Sequence, residues 1–172
     1  MFNHDFDIMI ILLKNKHTLI VDEFKFRCSI GKNGKTYLKK EGDKKTPKGK
    51  YSIDKLYYRS DRLKKPLTKL KTIKIKKEDG WCDDVNFPSH YNRKIIVNNK
   101  IRHEKLHRDD NKYDLLIPIK YNFDKPKVPN GSCIFLHLTN DYKPTEGCIA
   151  LSKTDFLILL KLIKSDTKIL IN

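Results

Sequence analysis

The sequence predicts a mainly β domain, a β-sandwich or barrel with one helix in its C-terminal region. Strand-favouring Ile, Tyr, Phe and Thr are abundant, whereas the 172 residues include a single alanine. Roughly eight to ten short apolar runs are separated by Gly, Pro and Asn turns and do not alternate with helices. No break in composition divides the chain, so we expect one domain over residues 1–172.

The N-terminal part of the chain has the pattern of a strand meander. Apolar or alternating runs predict strands at 8–13, 18–21 and 24–30. Residues 40–50 contain two glycines, a proline and many charges, a composition typical of a loop.

The middle of the chain contains further short strand patterns. We predict strands at 51–56, 72–76, 95–97 and 113–119. Pro118 places the last of them near a sheet edge, because proline cannot donate to a strand ladder. Residues 98–111 are polar and predict a surface loop or a helical turn.

Two short strands near the C-terminal end carry the reactive side chains. The apolar run 133–138 contains His137, and a polar loop leads from it to Cys148, directly before a strand at 149–151. The sequence therefore places an imidazole and a thiol on consecutive strands.

A helix and a closing strand complete the prediction. Ser152 followed by Asp155 has the pattern of an N-cap, and the apolar residues at 156–163 predict a helix of about eleven residues. The apolar run 169–171 predicts a final strand.

The net charge of +16 suits either a solvated surface or attraction to a polyanion, such as nucleic acid, an anionic membrane face or a cell-wall polymer. No apolar run approaches the roughly 20 residues of a membrane span, and no signal-peptide pattern is visible. The chain has no RNP-type or helix-turn-helix signature, so we do not expect nucleic acid as its partner.

The four cysteines, at 28, 82, 133 and 148, form no CxxC pair. A structural zinc site is therefore not expected, and no metal site is predicted. We interpret Cys28, Cys82 and Cys133 as free or buried thiols.

Cys148 and His137 together have the chemistry of an acyl-transfer site. A thiol is a weak nucleophile near pH 7, and a neighbouring imidazole can activate it by removing its proton. In the tight turn at Gly147, backbone N–H groups can face the same space as the sulfur, as an oxyanion requires. Spacing alone fits equally well a buried cysteine beside a partly exposed histidine.

The sequence around these residues resembles the YkuD-type L,D-transpeptidase catalytic domain family. That family has a histidine near the end of one strand and Gly-Cys-Ile or Gly-Cys-Val after a loop, here His137 and 147–149. The Glu41-Gly42-Asp43 loop before the Thr-Pro-x-Gly turn at 46–49 is also similar to the family. The likeness covers about residues 24–165. It implies that the chain has the β-sandwich or barrel fold of the L,D-transpeptidase catalytic domain.

Four further motifs look like a proteobacterial subgroup of the family, and they occur in the same order. They are Trp81-Cys82-Asp83-Asp84, Tyr91-Asn92-Arg93, Tyr113-Asp114 and Pro144-Thr145-Glu146-Gly147-Cys148.

The chain also departs from the family pattern. Ala150 stands where most members have an arginine, Leu138 replaces a glycine, and Thr145-Glu146 replaces the usual serine region. Arginine suits a substrate carboxylate because its planar guanidinium group can donate two parallel hydrogen bonds to the two carboxylate oxygens. Arg93 is the expected substitute, followed by Arg108 and Arg27.

The resemblance implies a reaction on peptidoglycan stem peptides without a cofactor. Cys148 would attack an L-centre carbonyl, His137 would move the proton, and the N–H groups of Cys148 and Gly147 would hold the oxyanion. An acceptor amine would then capture the thioacyl group and form a cross-link. Capture by water, as in an L,D-carboxypeptidase or amidase, is the alternative, and a basic module that only binds the wall or nucleic acid is another.

The resemblance also implies substrate-binding residues, an inhibitor class and a compartment. Carbapenems would acylate the nucleophile, and the substrate implies a periplasmic location. The residues expected to bind substrate are Arg93, Tyr91, Asn92, Trp81, Asp84 and Glu146.

Overall fold

The structure, a computed structural model, describes residues 8–172. The expectation of one domain includes residues 1–7, which lie outside the described part, and it stays a prediction. Within residues 8–172 the single helix is α1 (Lys153–Leu162). The strands are β1 (Ile10–Asn15), β2 (Thr18–Val21), β3 (Phe24–Ser29), β4 (Lys35–Thr36), β5 (Thr46–Pro47), β6 (Gly49–Ser52), β7 (Leu56–Tyr58), β8 (Thr72–Lys74), β9 (Asp79–Cys82), β10 (Lys94–Ile96), β11 (His103–Lys105), β12 (Leu115–Pro118), β13 (Phe135–Leu138), β14 (Ile149–Leu151) and β15 (Lys168–Ile171).

Ten strands form one curled half-barrel sheet, in the order β6-β15-β1-β2-β3-β14-β13-β12-β7-β8. A three-stranded sheet, β10-β9-β11, and the pair β4-β5 complete the β structure. The prediction of a mainly β fold with one helix near the C-terminus is confirmed.

Helix α1 begins where the sequence predicts. The Ser152 hydroxyl accepts a hydrogen bond from the Asp155 N–H at 3.1 Å, which caps one of the free N–H groups of the first turn. Phe156, Leu159 and Leu160 are buried, and their spacing places them on one face. This face packs into the main core of the sheet.

Alternation along β13 divides its side chains between two cores. Leu136 and Leu138 belong to the main core that includes the helix. Phe135 packs in a second, smaller core with Trp81 and Tyr113. His137 lies on the same face of the strand as Phe135, so the sheet itself directs the imidazole away from the helix.

Several strands lie where the sequence predicts a loop. In place of the loop at 40–50 the structure has β5 and the start of β6, and in the polar segment 98–111 it has β11. Strand β9 lies between β10 and β11 and pairs with both. The hydrogen bonds between the paired backbones stabilise strands that the sequence pattern does not indicate. These short, polar strands depend on tertiary contacts that no local pattern contains.

The prediction that Pro118 places its strand near a sheet edge is wrong. Strand β12 lies inside the sheet, between β13 and β7. Strand β7 pairs only with Leu115 and Leu116, so its ladder has ended before it reaches Pro118. The missing N–H therefore costs no hydrogen bond to β7, and the Pro118 carbonyl accepts one from the Asp54 N–H at 2.9 Å.

The helix face provides a test of the main core. Phe156 is fully buried, so Phe156→Ala should lower the free energy of unfolding by about 3–5 kcal/mol through lost transfer energy and a cavity. Urea unfolding followed by circular dichroism measures the change. Lys161→Ala, at an exposed position of the same helix, should change it by less than about 0.5 kcal/mol; similar losses in both variants would contradict this packing.

Candidate active site

Two neighbouring parallel strands bring His137 and Cys148 to one face of the sheet. In the β13–β14 register, Leu136 pairs with Ile149 and His137 pairs with Ala150. Paired residues point to the same side, and so do residues two apart on one strand. Cys148 therefore shares the face of His137, and the Phe135 N–H donates to its Sγ at 3.4 Å.

The turn before Cys148 requires glycine. Gly147 has a φ of +139°, and a Cβ there would lie 2.9 Å from the Lys45 carbonyl oxygen. The buried Thr46 hydroxyl donates to the Gly147 carbonyl at 2.9 Å and accepts from the Gly31 N–H at 2.9 Å. The loop at 45–46 thus fixes the backbone directly before the thiol.

Thr145 fixes the same turn from the other side. Its hydroxyl donates to the Cys148 carbonyl at 2.6 Å and accepts from the Gly147 N–H at 3.1 Å. The Gly147 N–H is therefore already engaged, whereas no hydrogen bond leads from the Cys148 N–H within residues 8–172. The Cys148 N–H is the donor that this turn leaves available.

The Cys148 side chain is a buried thiol. Its S–H donates to the Cys133 carbonyl oxygen at 3.0 Å. Burial raises its pKa to about 12, although the Phe135 N–H opposes this shift. The group is therefore protonated at neutral pH in the unliganded protein.

His137 is buried and neutral at the same pH. Burial is the largest cause that lowers its pKa, from 6.5 to about 4. Its Nδ1 lies 2.8 Å from the Leu138 carbonyl oxygen. Because a carbonyl only accepts, Nδ1 carries the proton and Nε2 keeps a free lone pair.

The edge-to-face ring of Tyr113 supports the imidazole at a centroid distance of 5.4 Å. In the described part of the chain, no hydrogen bond joins the Cys148 sulfur to His137. The two groups line one cleft, and catalytic contacts of this kind often shorten only when substrate binds.

The cleft encloses about 840 Å³ and includes many charged residues in its lining. Cys148, His137 and Ala150 form its floor, and the small Ala150 side chain leaves the space beside His137 open. The charged residues of the wall are Glu41, Asp83, Arg102, Glu104, Arg108, Lys112, Asp141, Lys143 and Glu146.

Most cations of the wall are neutralised by a carboxylate. Arg102 pairs with Asp83 at 3.1 Å, and Lys143 pairs with Asp141 at 3.0 Å. Lys112 is exposed and makes no ion pair within residues 8–172.

Arg108 is held beside His137 by two acids and an aromatic ring. It pairs with Asp110 at 2.7 Å and with Glu104 at 3.7 Å, and it lies over the Tyr113 ring at 5.1 Å. The Glu104 carboxylate also accepts from the Tyr113 hydroxyl at 3.0 Å.

Of the residues that the sequence singles out as site residues, Cys148, His137, Glu146 and Arg108, the second arginine expected for the substrate carboxylate, line the cleft. Arg27, the third, does not. Glu146 is largely exposed and pairs with Lys44 at 3.3 Å. Arg93 is exposed outside the cleft and donates to the Asp124 carbonyl at 3.4 Å.

The remaining predicted binding residues are buried behind the cleft wall. The Trp81 indole donates to the Asn92 side-chain oxygen at 3.0 Å, and that same oxygen accepts from the Cys133 N–H at 3.1 Å. Asp84 accepts from the Arg102 and Asn86 N–H groups, both at 2.9 Å. The Tyr91 hydroxyl accepts from the Gly131 N–H at 2.9 Å.

The cleft also contains residues that sequence reasoning did not select. Glu41 and Tyr113 stand in motifs that resemble the family, but nothing in the sequence shows that they meet His137 and Cys148 in one cleft. Glu104 belongs to the polar segment 98–111, Lys112 follows that segment directly, and neither stands in a motif. Cys133, read as a free or buried thiol, lines the cleft with a φ of +54°.

Within residues 8–172, no helix is long and apolar enough to cross a membrane. In the same part of the chain, no group of three or more His, Cys, Asp or Glu side chains is arranged to hold a metal ion.

This fold and site lie within a known catalytic domain family. Residues 8–171 match the family described as YkuD, L,D-transpeptidase catalytic domain. The chain belongs to the YkuD L,D-transpeptidase catalytic domain family, which acts on peptidoglycan.

One solved structure is similar, that of Bdellovibrio bacteriovorus Bd1075. The identity is 20% and the TM-score is 0.47, and the match covers 95% of this chain and 47% of that one. The present chain thus spans about half the length of that protein. No curated protein matches the chain.

The buried imidazole makes stability depend on pH. The pKa of His137 is about 4 in the folded chain and 6.5 in an unperturbed one, so the unfolded chain binds more protons between these values. The contribution of His137 to the free energy of unfolding is fully present above about pH 6.5. The free energy of unfolding falls by about 3 kcal/mol as pH drops to about 4.

Urea unfolding at about pH 7 and about pH 4.5 measures this effect in wild type and His137→Gln. The variant lacks the titrating group, so it should lose less stability on acidification than wild type. Equal losses in the two proteins would show that His137 is not buried in its neutral form.

Proposed function

We propose that the protein is a cysteine-dependent L,D-transpeptidase that joins peptidoglycan stem peptides. Family membership supports the substrate class, and the shared face of His137 and Cys148 on paired strands supports the reaction type. That pairing is the single observation that carries the proposal, because it puts a thiol and a neutral imidazole in one cleft. The four motifs at 81–84, 91–93, 113–114 and 144–148 lead us to propose the proteobacterial subgroup as well.

The first step is acylation of Cys148. A carbonyl of an L-centre in the donor stem approaches the sulfur, and His137 takes the thiol proton on Nε2 as the C–S bond forms. The pKa of the thiol is raised and that of the imidazole is lowered, so the resting pair is neutral. Proton transfer therefore accompanies attack rather than preceding it.

The oxyanion needs a donor beside the sulfur. The Cys148 N–H is free for this role, whereas the Gly147 N–H is occupied by Thr145. Collapse of the tetrahedral intermediate breaks the C–N bond, and the proton on His137 passes to the leaving amine.

The second step returns the enzyme to its resting form. The side-chain amine of an acceptor stem attacks the thioester, and His137 removes its proton. The C–S bond then breaks, and His137 returns that proton to the Cys148 sulfur. The product is a cross-link between two stems. Water in place of the amine would give a trimmed stem, which is the outcome of an L,D-carboxypeptidase.

The leaving amino acid requires a cation beside His137. Its amine and its carboxylate share one carbon, so the carboxylate lies next to the imidazole that protonates the amine. Lys112 and Arg108 lie at that end of the cleft, and both lower the pKa of His137 through their charge. We propose these two residues as the carboxylate site, because Arg93 lies outside the cleft.

The family implies an extracytoplasmic site of action. We propose the periplasm as the compartment, where peptidoglycan is accessible. The net charge of +16 supports this assignment because cell-wall polymers are anionic.

Incubation with purified disaccharide-tetrapeptide tests the proposed reaction. The wild-type protein should release the terminal D-amino acid and form a cross-linked dimer, both detected by mass spectrometry. Cys148→Ala should form no product, and His137→Gln should be slower by about 100-fold or more. Cys82→Ala, a thiol outside the cleft, should react like wild type.

The products distinguish a transpeptidase from a hydrolase and from a protein that only binds the wall. Tripeptide without dimer would replace the transpeptidase by a hydrolase on the same site. Equal product in wild type and Cys148→Ala would contradict the assigned nucleophile. No product from the wild-type protein would leave a wall-binding role instead.

A further inference from the structure

One carboxylate of the cleft is fixed in place but has no cationic partner. Glu41 lines the cleft with Cys148 and is half-buried. Within residues 8–172 it makes no ion pair. Arg102 and Lys143, two other charged residues of the wall, are already paired with Asp83 and Asp141.

Two hydroxyl groups donate hydrogen bonds to the Glu41 carboxylate. Tyr91 Oη and Ser132 Oγ both donate to its Oε2 atom, the latter at 2.7 Å. Tyr91 is fully buried, and its hydroxyl also accepts from the Gly131 N–H. Both bonds use the same oxygen, so Oε1 makes no hydrogen bond within the described residues.

The backbone around Glu41 is equally constrained. Its N–H donates to the Pro129 carbonyl at 2.7 Å, which ties its loop to the segment that leads into β13. Asp43 accepts from the Lys40 and Lys45 N–H groups at 2.9 Å and from the Lys39 ammonium at 2.6 Å. The carboxylate is therefore positioned before any ligand arrives, which lowers the entropy cost of binding one.

We propose that Glu41 Oε1 binds a primary ammonium group of the acyl donor, on the side chain of its diamino acid. This assignment rests on the proposed function. A fixed carboxylate with one free oxygen is complementary to an ammonium, and the partly buried setting strengthens their attraction relative to water.

The donor rather than the acceptor carries this ammonium for a chemical reason. An amine held as an ammonium ion has no lone pair and cannot attack the thioester. A carboxylate that stabilises the protonated form therefore suits an amine that is recognised but does not react. The donor side chain remains in the cleft through both steps, because its acyl group stays on Cys148.

Glu146, one of the residues expected from the sequence to bind substrate, is less suited to this role. Its side chain is 72% exposed and pairs with Lys44, and exposed ion pairs contribute little energy. Glu41 differs in being anchored by two hydroxyls and in making no ion pair within residues 8–172.

The experiment compares two donors in the full chain. One is the disaccharide-tetrapeptide with a free side-chain amine, and the other is the same compound with that amine acetylated. The rate of release of the terminal D-amino acid reports acylation of Cys148. The variants are Glu41→Gln and the exposed surface control Glu23→Gln.

The wild-type protein and Glu23→Gln should favour the free amine by about ten- to hundredfold in kcat/KM, mostly through KM. Glu41→Gln should lose this preference and act on the acetylated donor like wild type. The glutamine oxygen can still accept from Tyr91 and Ser132, so the acetylated donor also reports whether the site is intact.

Three outcomes would overturn the proposal. Equal wild-type rates with both donors would remove the need for an ammonium site. An equal loss on both donors in Glu41→Gln would mean that Glu41 only supports the loop. No release by wild type with either donor would overturn the proposed function, and this assignment with it.

Discussion

The parallel pairing of β13 with β14 is the constraint on which the site depends. Ten residues, 139–148, connect the two strands, a short connection for parallel neighbours that must return along the strand. The return path is fixed by the backbone bonds of Thr145 with Ile30 and Lys32 at 2.9 and 2.8 Å. The glycine turn that follows at Gly147 then delivers Cys148 to the face of His137.

Burial determines the protonation states of Cys148 and His137. Desolvation raises the pKa of the thiol and lowers that of the imidazole, so neither carries charge at rest. The cleft also contains Lys112 and Arg108, whose charges act on His137, and Glu41 in the loop before β5. Such an arrangement suits a substrate with both carboxylate and ammonium groups, bound by charge and then attacked by a neutral nucleophile.

Local patterns predict the parts of the fold that depend on local physics. Apolar or alternating runs predict β1 to β3, and the N-cap at Ser152 predicts α1. The expectation that Cys148 is the nucleophile comes from the resemblance to the family and not from a local pattern. Strand β9 and the interior position of Pro118 could not be predicted, because both follow from which strands lie next to each other. Glu41 and Lys112 are accordingly absent from the site residues expected from the sequence, since their place in the cleft depends on loops distant in the chain.

The intact mass of the protein after exposure to a carbapenem tests the central claim most directly. The strained lactam carbonyl is an acyl donor that needs only an activated nucleophile, so it isolates the chemistry of Cys148 and His137 from recognition of the stem. We predict one covalent adduct, located by peptide mapping on Cys148 and absent from Cys148→Ala. Absence of an adduct at every pH from about 6 to 9, or an unchanged adduct in Cys148→Ala, would contradict the account.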